Sequence, residues 1–293
     1  MGDYHVHLHP HGPYSGTGPP PGEYPIDHIE SYVEHALANG ASEIAFTEHL
    51  YRCVESKQVL GEWWAADLRP DLAEFTKAYV RSERVLSLER YVQAVVDAKD
   101  RGLPVLLGLE VDYFPDTVEA VAEFLEPYPF DVLIASTHWL GAWGVDLEEQ
   151  EFEFARRGAR QAYEDYFAVE TKLAASGLFD VLAHADVVKK RGVFLDEPPE
   201  DLYEELAVAA ARGGTAVEVS TAGLYQPASE MYPAKPLLRR FNEHRVPITL
   251  ASDAHVPENC GRDRDKALEL ARSVGYTQRI EFQSRVGRLV DLT

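Results

Sequence analysis

The sequence predicts an α/β fold, a barrel of seven β–α units forming a single domain over residues 1–293. Short apolar runs alternate with amphipathic stretches from end to end, the pattern of parallel strands joined by crossover helices. Seven such units can be counted, which suits a closed barrel more than an open sheet. The 293 residues, 45% hydrophobic and 26% charged, are ample for the core that such a barrel needs.

Taken in order, strands are expected at 3–8, 43–47, 104–109, 131–136, 179–183, 215–220 and 246–252. Helical periodicity fills the intervals at 27–39, 88–102, 117–126, 150–176, 201–212, 236–244 and 264–274. Asn39-Gly40, Arg101-Gly102 and Ser176-Gly177 close three of these helices, because glycine takes the left-handed C-terminal turn at no steric cost. Two stretches break the repeat. SGTGPPPGEYP, at 15–25, is too rich in Gly and Pro for a helix interior or a central strand, and reads as a surface connection or a loop bordering the site. The segment 51–87, with Trp63, Trp64, Phe75 and Tyr79, is too long for a bare loop; a helical insertion covering the site is expected.

Composition narrows the function. A formal net charge of −21, from 49 acidic against 28 basic residues, opposes nucleic-acid binding, which relies on neutralising phosphates with Lys and Arg. There is no apolar run of membrane-spanning length, and the N-terminus lacks the basic-then-apolar pattern of a secretory signal. Val6 also breaks the myristoylation pattern after Gly2. Cys53 and Cys260 make neither a metal-binding spacing nor a disulfide framework. A cytoplasmic protein with a small-molecule partner, neither nucleic acid nor membrane, is expected. Any phosphate it handles must be held by metal ions or a few placed cations.

The histidines locate the chemistry. The chain opens MGDYHVHLHPH, with histidines at 5, 7, 9 and 11. A (β/α) barrel draws its catalytic groups from the C-terminal ends of its strands. The first strand delivers His5 and His7, the second His49 in FTEHL, the third Glu110 in GLEVDY, the fourth His138 in STHW, the fifth His184 in LAHAD, and the seventh Asp253 and His255 in SDAH. Residues two apart on a strand share a face, so His5 with His7, and Asp253 with His255, can bind a common ion. Imidazoles and carboxylates without thiolates are the donors expected for Zn, Mn or Fe. Six histidines and two carboxylates exceed the needs of one ion, so two or three divalent ions are expected, with a carboxylate such as Glu110 bridging.

In order and context, the motifs HVH, TEH, GLE, STH, AH and SDAH resemble those of the polymerase and histidinol phosphatase (PHP) family of metal-dependent phosphoesterases. GLEVDYFP, STHWLGAW, SGLFDVLAHADVVKK and STAGLYQPASEMYPAKPLLRR resemble its histidinol phosphatase branch. The TEH motif stands where TDH is more usual. The resemblance implies a distorted seven-stranded barrel and a trinuclear site whose ligands would be His5, His7, His49, Glu110, His138, His184, Asp253 and His255. Relatives add a histidine soon after HxH; HLHPHG is two residues shorter here, and alignment on the His-Gly pair selects His11, with His9 as the alternative.

The activity implied is hydrolysis of L-histidinol phosphate to L-histidinol and phosphate, a step of histidine biosynthesis, with another small phosphate monoester as the alternative substrate. A non-catalytic metal-binding barrel is a further alternative. Metal coordination lowers the pKa of water from ~15.7 to ~7, so a metal-bridging hydroxide is the expected nucleophile. Asp253 and His255 are the catalytic candidates, with Asp253 the first choice of acid for the leaving alkoxide. Arg157 and Lys190 are expected to hold the phosphate dianion, with Glu218 and Ser220 reaching the rest of the substrate. Trp139 and Trp143 are candidates for an aromatic wall around an imidazole.

Overall fold

The computed structural model describes residues 2–292. Its central sheet has seven parallel strands in chain order: β1 (Asp3–Val6), β2 (Ile44–Phe46), β3 (Val105–Asp112), β4 (Val132–Ser136), β7 (Val181–Leu182), β8 (Ala216–Ser220) and β9 (Ile248–Ala251). A hairpin of β5 (Trp139–Leu140) and β6 (Trp143–Gly144) follows β4, and β10 (Gln278–Gln283) pairs with β11 (Val286–Asp291) near the C-terminus. The sheet curls until its edges meet. Val6 bridges Ala254 in parallel, and the His7 amide donates to the Ala254 carbonyl at 2.8 Å. The Asp3 carboxylate ties the seam, accepting from the Ser252 and Gly261 amides at 2.9 and 2.8 Å. This is the expected seven-stranded barrel, nearly closed.

Strand alternation divides the barrel interior into two layers. On β3, Leu106, Gly108 and Glu110 share a face, as do Val132, Ile134 and Ser136 on β4, and Ala216, Glu218 and Ser220 on β8. The lower members, with Tyr4, Ala45, Val181 and Ala183, form a small apolar cluster that Phe282 of β10 closes from beneath. The upper members are polar and lie at or beneath the site. The larger apolar core lies between the strands' other face and the helices, where Tyr91 donates to the Phe46 and Gly108 carbonyls at 2.6 and 2.9 Å.

All seven strands and seven expected helical stretches form, with three differences. β3 runs three residues further than expected, which puts Glu110 and Asp112 on the strand itself. The helix expected at 150–176 is two, Phe152–Arg157 and Ala159–Ser176, because Gly158 at φ 86° breaks it. The β10–β11 hairpin has Ser284 and Arg285 at positive φ in its turn, where no glycine announces it. The segment 51–87 is helical in pieces, chiefly Lys57–Leu60 and Pro70–Glu83, and its Tyr51 and Tyr79 reach the cavity described below.

Candidate metal centre and active site

Glu110 is the hub of the site. It is fully buried, and its two oxygens face different partners: Oε2 lies 2.8 Å from His49 Nδ1, 3.2 Å from His5 Nε2 and 3.6 Å from His7 Nε2. Oε1 lies 3.1 Å from His184 Nε2 and 3.6 Å from His138 Nε2. Asp253 Oδ1 stands 3.2 Å from His7 Nε2 and 3.5 Å from His5 Nε2. His255 Nε2 faces His11 Nε2 at 3.1 Å, and the His7 and His255 rings are 4.4 Å apart. The structure therefore brings together His5, His7, His11, His49, Glu110, His138, His184, Asp253 and His255.

This donor set fits divalent metal. Ligands bound at ~2.0–2.2 Å to one ion are separated by roughly 3.0–3.6 Å along the edges of its coordination polyhedron, as all these atoms but the His49–Glu110 pair are. His49 Nδ1, although 2.8 Å from Glu110, makes no hydrogen bond with proper geometry. Four overlapping groups place three donors each within reach of one ion: His5-His7-Glu110, His49-Glu110-His138, His7-His49-His255 and His5-His184-Asp253.

An outer layer orients the rings, the usual support of a metal-binding imidazole. His5 Nδ1 meets Glu218 Oε2 at 3.0 Å, His138 Nδ1 meets Asp112 Oδ1 at 2.9 Å, His255 Nδ1 meets the Asp253 carbonyl at 2.9 Å, and His11 Nδ1 meets the His9 carbonyl at 3.1 Å. In all four, Nε2 is left for the cluster. The backbone is distorted here too: His184 and Asp253 have φ of 28° and 51°, a region that side chains other than glycine rarely occupy and that gathers at functional sites.

The electrostatics follow from the same contacts. Burial opposes ionisation of Glu110, but His49, His5 and His138 outweigh it and hold the carboxyl well below its ordinary range. Burial likewise opposes ionisation of Asp253, and His5, His7 and His255 outweigh it. Asp253 is thus a carboxylate. That suits a ligand; to act as an acid it would first have to take up a proton.

His9 turns elsewhere. Its amide donates to Glu48, and its ring nitrogen Nδ1 lies 3.3 Å from the Arg52 guanidinium, so burial and then Arg52 push its pKa down to about 4. Of the two histidines left open by the shortened HLHPHG, His11 is the one in the cluster.

His11, His49, Glu110, His138, His184, Asp253 and His255 line a cavity of about 470 Å³. Lys190 is on its wall, paired with Asp146 at 2.7 Å; burial opposes its charge, but Asp146 more than restores it. Trp139, carried by the β5–β6 hairpin, lines it as well, whereas Trp143 is buried behind. Three expected substrate contacts are not at the wall. Arg157 ends the short helix broken at Gly158, bonds Glu153 at 3.1 Å and Asp165 at 3.0 Å, and lies over the Trp143 ring at 4.7 Å. Glu218 points into the barrel beneath the cluster, holding His5 and accepting from the His184 amide at 2.8 Å. Ser220 is fully buried and exchanges backbone bonds with Tyr232. Conversely, Asp146, Arg191, Arg262 and Tyr232 line the cavity without having been singled out. Arg191 directly follows the two lysines that end SGLFDVLAHADVVKK, and Asp146 lies three residues beyond STHWLGAW, but spacing alone says nothing of which surface charges turn inward. The loop 15–25 stays off the wall, although Gly12, Pro13 and Tyr14 just before it are part of it.

A buried cluster of seven imidazoles and two carboxylates, at the C-terminal rim of a seven-stranded barrel and open to a cavity, has the donors and the access that a metal-dependent hydrolase requires. Residues 7–222 match the PHP domain, and the chain belongs to that family. It is 35% identical over 269 residues to a protein of Deinococcus radiodurans named "Probable histidinol-phosphatase", covering 91% of this chain and 92% of that one. It is 27% identical over 267 residues to the histidinol-phosphatase of Bacillus subtilis, covering 83% and 92%. Among solved structures, histidinol phosphate phosphatase of Lactococcus lactis, in complex with zinc, L-histidinol and phosphate, superposes with a TM-score of 0.71 at 23% identity, covering 98% of both chains. At that identity the likeness is one of fold.

Proposed function

We infer that this chain is a phosphoric monoester hydrolase that cleaves L-histidinol phosphate to L-histidinol and inorganic phosphate, the activity for which its relatives are named. The observation that carries the chemistry is Glu110, one carboxylate with two sets of imidazoles on its two oxygens. That is the arrangement of a ligand shared between ions, and it supports more than one ion per chain, with zinc the metal of the solved neighbour. His5, His7, His11, His49, Glu110, His138, His184, Asp253 and His255 would hold them. When bound, divalent ions neutralise phosphoryl oxygens, polarise phosphorus and bring the pKa of a coordinated water towards neutrality.

The chain's own residues do the rest. Lys190, and Arg191 beside it, offer positive charge to a dianion inside a protein whose overall field repels one. Glu218, Asp112 and the His9 and Asp253 carbonyls fix the tautomer and aim of the rings. Asp146, Trp139, Tyr51 and Tyr79 give the cavity an acidic and aromatic flank suited to the amine and imidazole of histidinol. The test compares kcat/KM for L-histidinol phosphate, an aryl phosphate and a mononucleotide on zinc-reconstituted protein. A preference of at least ~100-fold for L-histidinol phosphate supports the assignment. Equal turnover of all three removes that substrate and keeps a metal-dependent phosphoesterase.

A further inference from the structure

Tyr232, a buried side chain in the cavity wall, carries a polar atom that no protein group engages. Tyr232 is 1% exposed, lines the cavity with His184, Lys190, Arg191 and Asp253, and has a hydroxyl with no hydrogen-bond partner in the protein. The rest of the residue is fixed on all sides. Its amide donates to the Ser220 carbonyl at 3.0 Å and its carbonyl accepts from the Ser220 amide at 2.7 Å, which pins it to the end of β8. The Lys189 ammonium lies 5.4 Å from the ring centroid, and is itself held by Asp186 at 2.9 Å, Glu230 at 2.6 Å and the Met231 carbonyl at 2.8 Å. Gly223 lies against the ring: a Cβ there would come within 3.0 Å of both Cε2 and Cζ. The His184 ring meets it edge-on, with centroids 6.2 Å apart.

Burying an unmet hydroxyl destabilises the fold, and phenylalanine would fill the same space without that cost. The chain nevertheless presents a phenol, held rigidly, beside a member of the donor cluster. We propose that the Tyr232 hydroxyl donates a hydrogen bond to a non-bridging oxygen of the substrate's phosphoryl group. The inference rests on the phosphomonoesterase reading above and adds to it the residue that grips the phosphoryl group from the β8 side. Phenols ordinarily ionise near pH 10, so the group is a neutral donor at working pH and brings no negative charge against a dianion. Contact with His184 puts it at the phosphoryl end of the cavity, where the donors converge, and not at the flank of Trp139 and Tyr79.

The test is Tyr232→Phe in the full, zinc-reconstituted chain, with inorganic phosphate as the calorimetric probe alongside zinc content, thermal midpoint and kcat/KM. The expected result is phosphate affinity weaker by ~5–30-fold and kcat/KM lower by ~10–100-fold, with zinc content unchanged and the midpoint equal or higher. Phosphate affinity within twofold of wild type overturns the proposal. So does loss of zinc or a lowered midpoint accompanying the loss of activity, because the hydroxyl would then be holding the structure and not the phosphate. If the wild-type chain fails to cleave L-histidinol phosphate while Tyr232→Phe still weakens phosphate binding, the substrate assignment falls and the role of the hydroxyl stands.

Discussion

His9 and His11 sit two residues apart in one short motif, yet the structure gives them opposite work. His11 Nε2 meets His255 in the cluster, whereas His9 is walled off between Glu48 and Arg52. His11→Ala should therefore lower the zinc content per chain and cut turnover by at least ~10-fold, with elemental analysis as the readout. His9→Ala should keep the zinc and lose stability instead, by about 1–3 kcal/mol, because it removes a buried, hydrogen-bonded ring. Glu218 makes a similar distinction one layer out. Glu218→Gln keeps the shape but removes the charge that holds His5 Nδ1, and zinc affinity should fall ~10–100-fold in competition with a chelator while the fold survives. Zinc affinity equal to wild type would return Glu218 to a merely structural place. Most of the donor cluster was legible in the sequence because its residues follow strand ends; His11 was legible only through the His-Gly pair of HLHPHG. The residues that only support or receive were legible in part: Lys190 and Trp139 do reach the wall, but Glu218 ends a strand as visibly as Glu110 does, and only the geometry tells which carboxylate faces the donor cluster and which faces the far nitrogen of one of its imidazoles.

At the scale of elements, periodicity found the seven strands and seven helical stretches because one face of each is apolar and the other is not. It misplaced Arg157 for a definite reason. The 150–176 pattern reads as one helix, but Gly158 at φ 86° turns the chain, and Arg157 is left among Glu153, Asp165 and Trp143. The glycine in RRGAR was the available signal. The β10–β11 hairpin stayed hidden because its turn uses Ser284 and Arg285 and not the Asn-Gly or Asp-Gly that marks such turns. The second of the two helices, Ala159–Ser176, carries a buried acid. Burial pushes the Glu170 carboxyl up to about 8, against the Thr137 hydroxyl that donates to it at 2.6 Å. A carboxyl whose pKa is raised on folding favours the folded state fully below its unfolded value near 4.5, and loses that advantage as pH climbs through about 8. Between pH 5 and pH 8.5 the loss is at most ~4 kcal/mol. Glu170→Gln should flatten this slope in denaturant titrations of chelated protein, where no ion's charge enters. A slope as steep as wild type would place the titrating group elsewhere.

At the scale of the whole molecule, the barrel is a compromise between an apolar lower layer that holds it shut and an upper layer where seven imidazoles and two carboxylates crowd within a few ångströms. Ions that bind the folded chain and not the unfolded one must stabilise it in proportion to their affinity. Chelation should accordingly lower the thermal midpoint by several degrees, and returned zinc should restore it; a midpoint indifferent to chelator would mean that the cluster is built without metal. The negative field of the surface sets the other condition. With a net charge of −21 the protein can receive a phosphate dianion only where positive charge is concentrated, which ties substrate binding to the ions and the few cations of the cavity. That dependence is measured directly by following phosphate release from L-histidinol phosphate as zinc is returned stepwise to chelated protein. Activity absent at the start and reaching its plateau only after two or three equivalents per chain is the predicted result. Full turnover in the chelated protein, or a plateau at one equivalent, would contradict a shared-carboxylate centre built on Glu110.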